Sequence, residues 1–339
     1  MRRWNIAVAA VAACLALVVP ASHAQAPEKS KVVVGVGGKT LFYYLPLTIA
    51  EQKGYFKAEG LDVEIQDFAG GARALQALLG GSVDIVSGAY EHTITQQAKG
   101  QNIEAVFLQG KYSSMVLVMN KAKAEKYKSP ADLKGMKIGV TAPGSSTNMF
   151  VNILLAKVGL KPDDVSIIGA GATAGAVALM QRGEIDALVN LDPVIAQLES
   201  QGFVPVVDTR TAKGMQEVYG GAYAGGSIYT TVDFVKKNPN TTQAFVNAMM
   251  HALRFIQTST ADEIIAAVPS EYYADKQLYK AALEKNLESY KHDGTIGMEA
   301  ARNVYRDLKS FDPGVQNATM DLAKTFDSSF ALKAAQKYK

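Results

Sequence analysis

From Lys31 onward the apolar positions fall into two rhythms, short runs rich in Val and Ile and longer stretches in which they recur every three or four residues. The short runs, at 31–36, 62–67, 83–87, 104–108, 115–119, 137–140, 165–168, 185–189, 204–207 and 227–232, predict strands covered on both faces. The longer stretches predict helices over 46–58, 72–79, 91–99, 145–158, 174–181 and 194–201. Pro46 suits a first helical turn, where its missing N–H is not needed. Strand and helix alternating in this way predict an α/β protein with mainly parallel sheets flanked by helices. Beyond Asp233 the pattern is helical throughout, with Asp233 as the expected N-cap and Pro239, Pro269 and Pro313 as helix boundaries.

The chain also repeats itself. Residues 74–89 read ALQALLGGSVDIVSGA and residues 176–191 read AVALMQRGEIDALVNL, aligning Gly81 with Gly183, Val83 with Ile185 and Asp84 with Asp186, and the match runs on to Gly100 with Gly202. In each copy an apolar helix ends at glycine, an aspartate opens the next strand and a polar turn follows. Two lobes on one plan are expected: lobe 1 from 31–115 together with 227–330, lobe 2 from 116–226. Two strand-like crossings would then form a hinge, with a cleft between the lobes.

The first 24 residues are of another kind. Arg2 and Arg3 precede an apolar run of 14 residues, Ile6 to Val19, then Pro20 and the small-residue stretch ending at Ala24. This is the pattern of a secretory signal peptide, too short to span a membrane. Cleavage after Ala24 is expected; the alternative is Val11-Ala12-Ala13-Cys14, which is similar to a lipobox and would leave a lipid anchor on Cys14. The first cut removes the single cysteine and two of the 35 basic residues, leaving 33 against 32 acidic ones. A near-neutral chain with dispersed charges and no Lys/Arg cluster argues against nucleic acid as a partner. Without a cysteine there is no disulfide, thiol nucleophile or cysteine metal ligand. No cofactor is expected, and no oligomerisation seam stands out, so a monomer is.

The segment from Tyr44 to Phe56, YLPLTIAEQKGYF, followed by Glu59-Gly60-Leu61-Asp62-Val63-Glu64, resembles the nitrate, sulfonate and taurine group of solute-binding proteins, a family that includes binders of thiamine-precursor pyrimidines. Residues 77–84, 132–140 and Gly144-Ser145-Ser146-Thr147 extend the resemblance, which covers about residues 31–270. It implies a type II-like periplasmic binding protein, a two-lobed receptor that closes on a small ligand. The partners it implies are the permease and ATPase subunits of an ABC importer.

Ligands of open α/β sheets bind beyond the carboxyl ends of strands, so the turns after strands hold the candidates. After the first strand these are Lys39, as a charge or a solvated lysine, and Tyr43 and Tyr44, as ring walls or core residues. Gly71 opens a helix whose free N–H groups suit an anion. After the third strand stand Ser87, Tyr90 as a stacking ring and Glu91 as an acceptor for an ammonium or amide donor, a turn that the resemblance sets against the ligand. His92, without a second His or Cys nearby, is not a metal site. Tyr112 precedes the second lobe. In lobe 2, Ser145, Ser146 and Thr147 at a helix start offer hydroxyls to an anion or cap the helix. Asn190 and Asp192 occupy the turn equivalent to 87–91, where Asp192 is also a helix cap.

The expected function is capture of a small organic anion, sulfonate or carboxylate, by the periplasmic component of an ABC importer, with a planar heterocycle such as a pyrimidine as the alternative. An enzyme is disfavoured, although a fungal pyrimidine-synthesising family resembles this chain. The sequence lacks a G-x-S-x-G elbow and the third glycine of a dinucleotide fingerprint. With a signal peptide and no helix-turn-helix, an effector domain of a transcription factor is disfavoured as well.

Overall fold

The computed structural model describes residues 26–338; the expected signal sequence, its cleavage site and Cys14 lie outside them. Among the described residues ten strands run in chain order: β1 Lys31–Val36, β2 Asp62–Asp67, β3 Ile85–Ala89, β4 Ile103–Leu108, β5 Val116–Met119, β6 Lys137–Val140, β7 Ser166–Gly169, β8 Ala187–Asn190, β9 Val204–Asp208 and β10 Gly226–Thr231. They form two five-stranded sheets, ordered β2-β1-β3-β10-β4 and β7-β6-β8-β5-β9. Each sheet has three adjoining parallel strands, then one antiparallel strand, then an edge strand. The antiparallel strand, β5 or β10, is in both cases the first strand after the chain crosses from one sheet to the other. Helices flank both sheets, giving an α/β fold of two lobes.

The repeat read from the sequence is a structural one. Asp84 at the foot of β3 accepts the Val33 N–H at 2.9 Å and pairs with Lys29 at 2.6 Å. Its counterpart Asp186 accepts the Lys137 N–H at 2.7 Å and pairs with Lys123. Each aspartate therefore ties its strand to the neighbouring central parallel strand, β3 to β1 and β8 to β6. The charge-assisted bonds are made at the end of the strand remote from the cleft.

Three local expectations are corrected. The helix expected over 46–58 is two helices, Leu45–Gln52 and Tyr55–Ala58, because Gly54 between them takes the left-handed conformation, φ 70°. The N-cap expected at Asp233 is Thr231, whose hydroxyl accepts the Phe234 N–H at 3.0 Å. Strands β3 and β8 begin two residues later than expected, since the aspartate opening each run turns its carboxylate onto the neighbouring strand.

The helical tail packs mainly on the first lobe, where the 20-residue helix Pro239–Thr258 buries its apolar face against the helices Leu45–Gln52, Tyr55–Ala58 and Ser329–Lys337. Its helix Lys276–Asn286 reaches across to the second lobe, against the helix Val194–Ser200. Among the described residues no helix is long and apolar enough to cross a membrane.

Candidate ligand-binding site

The carboxyl ends of both sheets face each other, and the loops that leave them are in contact. Gly37 leaves β1 so close to the next turn that a Cβ on it would lie 2.2 Å from the Gly71 nitrogen. Gly38, at φ 100°, brings the same loop against Ala172 of the other lobe. Asp67 at the end of β2 fixes this loop by accepting the Gly38 and Lys39 N–H groups at 2.7 and 3.0 Å. The Lys39 ammonium turns back to Glu51, 2.7 Å away. It is thereby committed to a structural pair.

Around the junction lies a group of buried polar side chains. Glu91 is 1 % exposed; its Oε1 accepts the Tyr223 hydroxyl at 3.3 Å, and its Oε2 has no partner. Burial pushes this carboxyl up to about 7. His92 Nδ1 shares a 2.9 Å hydrogen bond with the Tyr229 hydroxyl, its Nε2 has no partner, and burial lowers its pKa to about 4, so the ring is neutral. Gln109 accepts the Ser87 hydroxyl at 2.8 Å and leaves its amide nitrogen unpaired. The hydroxyls of Tyr43 and Ser227 are also unpaired. Tyr219 stacks on Tyr223 with centroids 3.9 Å apart and donates to Ser113 at 3.0 Å. Burial, then the charge of Glu91, pushes Tyr43 well above the ordinary phenol range.

Of the residues picked out in the sequence, Tyr43, Tyr44, Gly71, Glu91 and Ser145 meet at this junction. The Gly71 Cβ position is 3.4 Å from His92 Cε1 and 4.0 Å from both Ser145 Oγ and the Tyr44 hydroxyl. Ser145 does not cap its own helix Ser146–Ala156; its Oγ accepts the Ala72 N–H of the opposite lobe at 3.0 Å. That bond occupies a helix N–H group expected for an anion. Ser146 is half-buried beside it.

The others serve the frame. Tyr90 is fully buried in lobe 1, its hydroxyl on Thr325 and its ring edge-on to Phe326, so it is a core residue and offers no stacking face to the junction. Ser87 lies one layer behind, on Gln109. Thr147 accepts the Thr141 N–H at 3.0 Å and holds the turn after β6. Asn190 donates to the Gly171 carbonyl at 3.2 Å. Asp192 stands one residue ahead of the N-cap, which is Pro193 and not the expected aspartate; it accepts the Ala196 N–H at 2.9 Å and receives Arg210 at 3.1 Å and Asn286 at 2.7 Å. Tyr112 is half-buried, its ring 5.2 Å from the Lys111 ammonium, and lines a small cavity beside Tyr43.

Sequence reading missed Tyr219, Tyr223, Tyr229, Gln109 and Ser227, and set aside His92. A cue existed in Tyr219-Gly-Gly-Ala-Tyr223, where glycines let two tyrosines enter a crowded crossing. A larger cavity of about 540 Å³ lies along another edge of the junction, shared by Thr40, Thr173, Pro193, Gln197, Tyr272 and Tyr273. The unpaired buried groups are not among its walls, so the polar cluster is the better candidate site.

Residues 42–260 match the family described as NMT1/THI5 like. The chain belongs to this family. A solved structure of a protein from Bordetella bronchiseptica RB50 is 52 % identical, with a TM-score of 0.89 over 93 % of this chain and 99 % of that one. The alkanesulfonate-binding protein SsuA from Xanthomonas axonopodis pv. citri, bound to MOPS, shares the fold at 16 % identity, with a TM-score of 0.67 over 89 % of this chain and 99 % of that one. Among curated relatives, the putative binding protein YtlA of Bacillus subtilis is 25 % identical, covering 86 % of this chain and 87 % of its own. The 4-amino-5-hydroxymethyl-2-methylpyrimidine phosphate synthase THI13 of Saccharomyces cerevisiae is 24 % identical over 79 % and 77 %. The two-lobed fold of this NMT1/THI5-like chain is thus that of the periplasmic binding proteins of ABC import systems.

Proposed function

We propose that the chain is the exported solute-binding subunit of an ABC importer, closing on a small flat organic solute and presenting its closed form to the permease. The first 24 residues would direct export. The lobes would be 31–115 with 227–330, and 116–226, turning on the two crossings. Closure requires contacts that exist only when the lobes meet, and the Ser145–Ala72 bond is of that kind.

The observation that carries the choice of solute is the composition of the junction. Tyrosines, neutral hydrogen-bonding groups and the acid Glu91 wall it, and among the described residues the cations beside it are each engaged by carboxylates, Lys111 by Glu288 and Arg306 by Asp307. Lys39 is held by Glu51, and Arg210, 3 % exposed, by Asp192, Glu199 and Asp208. This weighs for the heterocycle and against the anion, whose case leaned on Lys39. The SsuA likeness speaks only to the fold.

The test is a melting-shift panel on the chain from Gln25 onward, with pyrimidines, aminopyridines, sulfonates, carboxylates and nitrate. A ligand at about 100 times its Kd adds roughly 2.7 kcal/mol. Shifts with ring bases and none with sulfonates are expected; a shift with sulfonates alone would restore the anion.

A further inference from the structure

Glu91 is a buried acid without an adequate partner. The Tyr223 hydroxyl reaches one oxygen at 3.3 Å, a long bond, and the other oxygen meets no donor. Groups from each neighbouring element bear on it. His92 beside it is neutral, and Tyr43, Tyr219 and Tyr229 are un-ionised phenols. The helix Met298–Lys309 packed on its own helix brings a second carboxyl, Asp307, which raises Glu91 further. Arg306 on that helix is turned to Asp307 and to the Tyr219 carbonyl. The strand β4 carries Glu104, which lies beside Asp327 and Lys236 and is not among the charges acting on Glu91. Among the described residues, the charges acting on Glu91 include no lysine or arginine.

A carboxylate taken out of water costs several kcal/mol unless it is paired, so an acid left in this state marks a place where something else supplies the pairing charge. An anionic solute would add to the repulsion. A cationic one would supply what Glu91 lacks, while Gln109 Nε2, Ser227 Oγ and the Tyr43 hydroxyl remain to meet the edge of a ring.

We propose that Glu91 selects the solute, and that the solute is a planar nitrogen base of the amidine or aminopyridine type, bound as its cation with an N–H against Glu91 Oε2. This rests on the reading that the junction is the solute site. Binding ionises Glu91 and releases its proton to solvent, so affinity is coupled to pH.

Calorimetry with benzamidine, benzamide and benzoate at pH 5, 6, 7 and 8, in buffers of different ionisation heat, tests this. Benzamidine stays charged throughout that range. Its affinity should rise by about tenfold per unit up to pH 7 and then level off, with nearly one proton released per molecule bound at pH 5. Benzamide and benzoate should bind at least tenfold more weakly. Glu91→Gln should lose about tenfold or more in benzamidine affinity and abolish the proton release. The release in the unaltered protein is itself a test should that variant fail to fold. Benzoate preferred to benzamidine, or benzamidine bound without proton release, overturns the selection and leaves solute binding standing. Absence of heat with all three, together with no melting shift across the wider panel, overturns both.

Discussion

Ser145 Oγ of one lobe accepts the Ala72 N–H of the other at 3.0 Å, at the N-terminus of the helix Gly71–Leu79. Removing the acceptor leaves a buried donor unsatisfied only when the lobes are together, at a cost of about 1–3 kcal/mol. Ser145→Ala is expected to weaken solute binding by roughly five- to a hundredfold while leaving the ligand-free melting temperature nearly unchanged. Titration calorimetry beside a thermal melt separates the two effects.

Asp84 and Asp186 do the same work in different lobes. Asp84→Asn and Asp186→Asn should each cost about 1–2 kcal/mol in urea unfolding, because a charge-assisted bond to the neighbouring parallel strand and a lysine pair are weakened together. The two sites share no partner, so the double variant should lose the sum to within about 0.5 kcal/mol.

Arg210 holds three carboxylates, and Asn286 of the helical tail donates to one of them, Asp192, at 2.7 Å. Burial pushes the Asp192 carboxyl up, and the Arg210 charge opposes that rise. Arg210→Met should destabilise by about 3–5 kcal/mol at pH 7, since it strands a buried charge. Part of that loss should be recovered at pH 5, where Asp192 can take up a proton. Melting temperatures of variant and parent at the two pH values check this.

Buried titratable groups give the stability a readable pH profile. The Glu91 pKa in the folded state, about 7, lies above its ordinary value of 4.5, so its contribution is intact below pH 4.5, is lost as pH rises to 7 and stays lost above. Ligand-free Glu91→Gln should therefore be more stable than the parent at pH 8, by up to about 3 kcal/mol, with the gap closing toward pH 4.5. His92 and His292 have the opposite sign: both are lowered from 6.5 to about 4, so their contribution is intact above 6.5 and falls away with acid. Denaturation curves from pH 4 to 8 for the parent, Glu91→Gln and His92→Gln resolve the two slopes.

The alternation of Val-rich runs with helical spacing carried the strands and the parallel character of both sheets, since burial on both faces leaves a plain trace in composition. The repeat was legible because Asp84 and Asp186 sit at matched places and have matched jobs. The site was legible only in part. Tyr90 and Glu91 are neighbours in sequence, yet one side chain enters the lobe and the other the junction, a difference of direction that no local pattern encodes. Tyr223 meets Glu91 across 132 positions of sequence, and Lys39 was read as free because Glu51 comes to it only through the fold of the loop after β1.

Strand β10 occupies the place between β3 and β4, where each neighbour pairs with it and not with the other. The first sheet therefore keeps a gap through its middle until residues 226–231 have been made and have reached it, although its other strands are complete by residue 108. The second sheet uses only residues 116–208 and has no such wait. In a chain made from its N-terminus, the later part of the sequence closes the earlier lobe, and the inserted lobe is free to finish first.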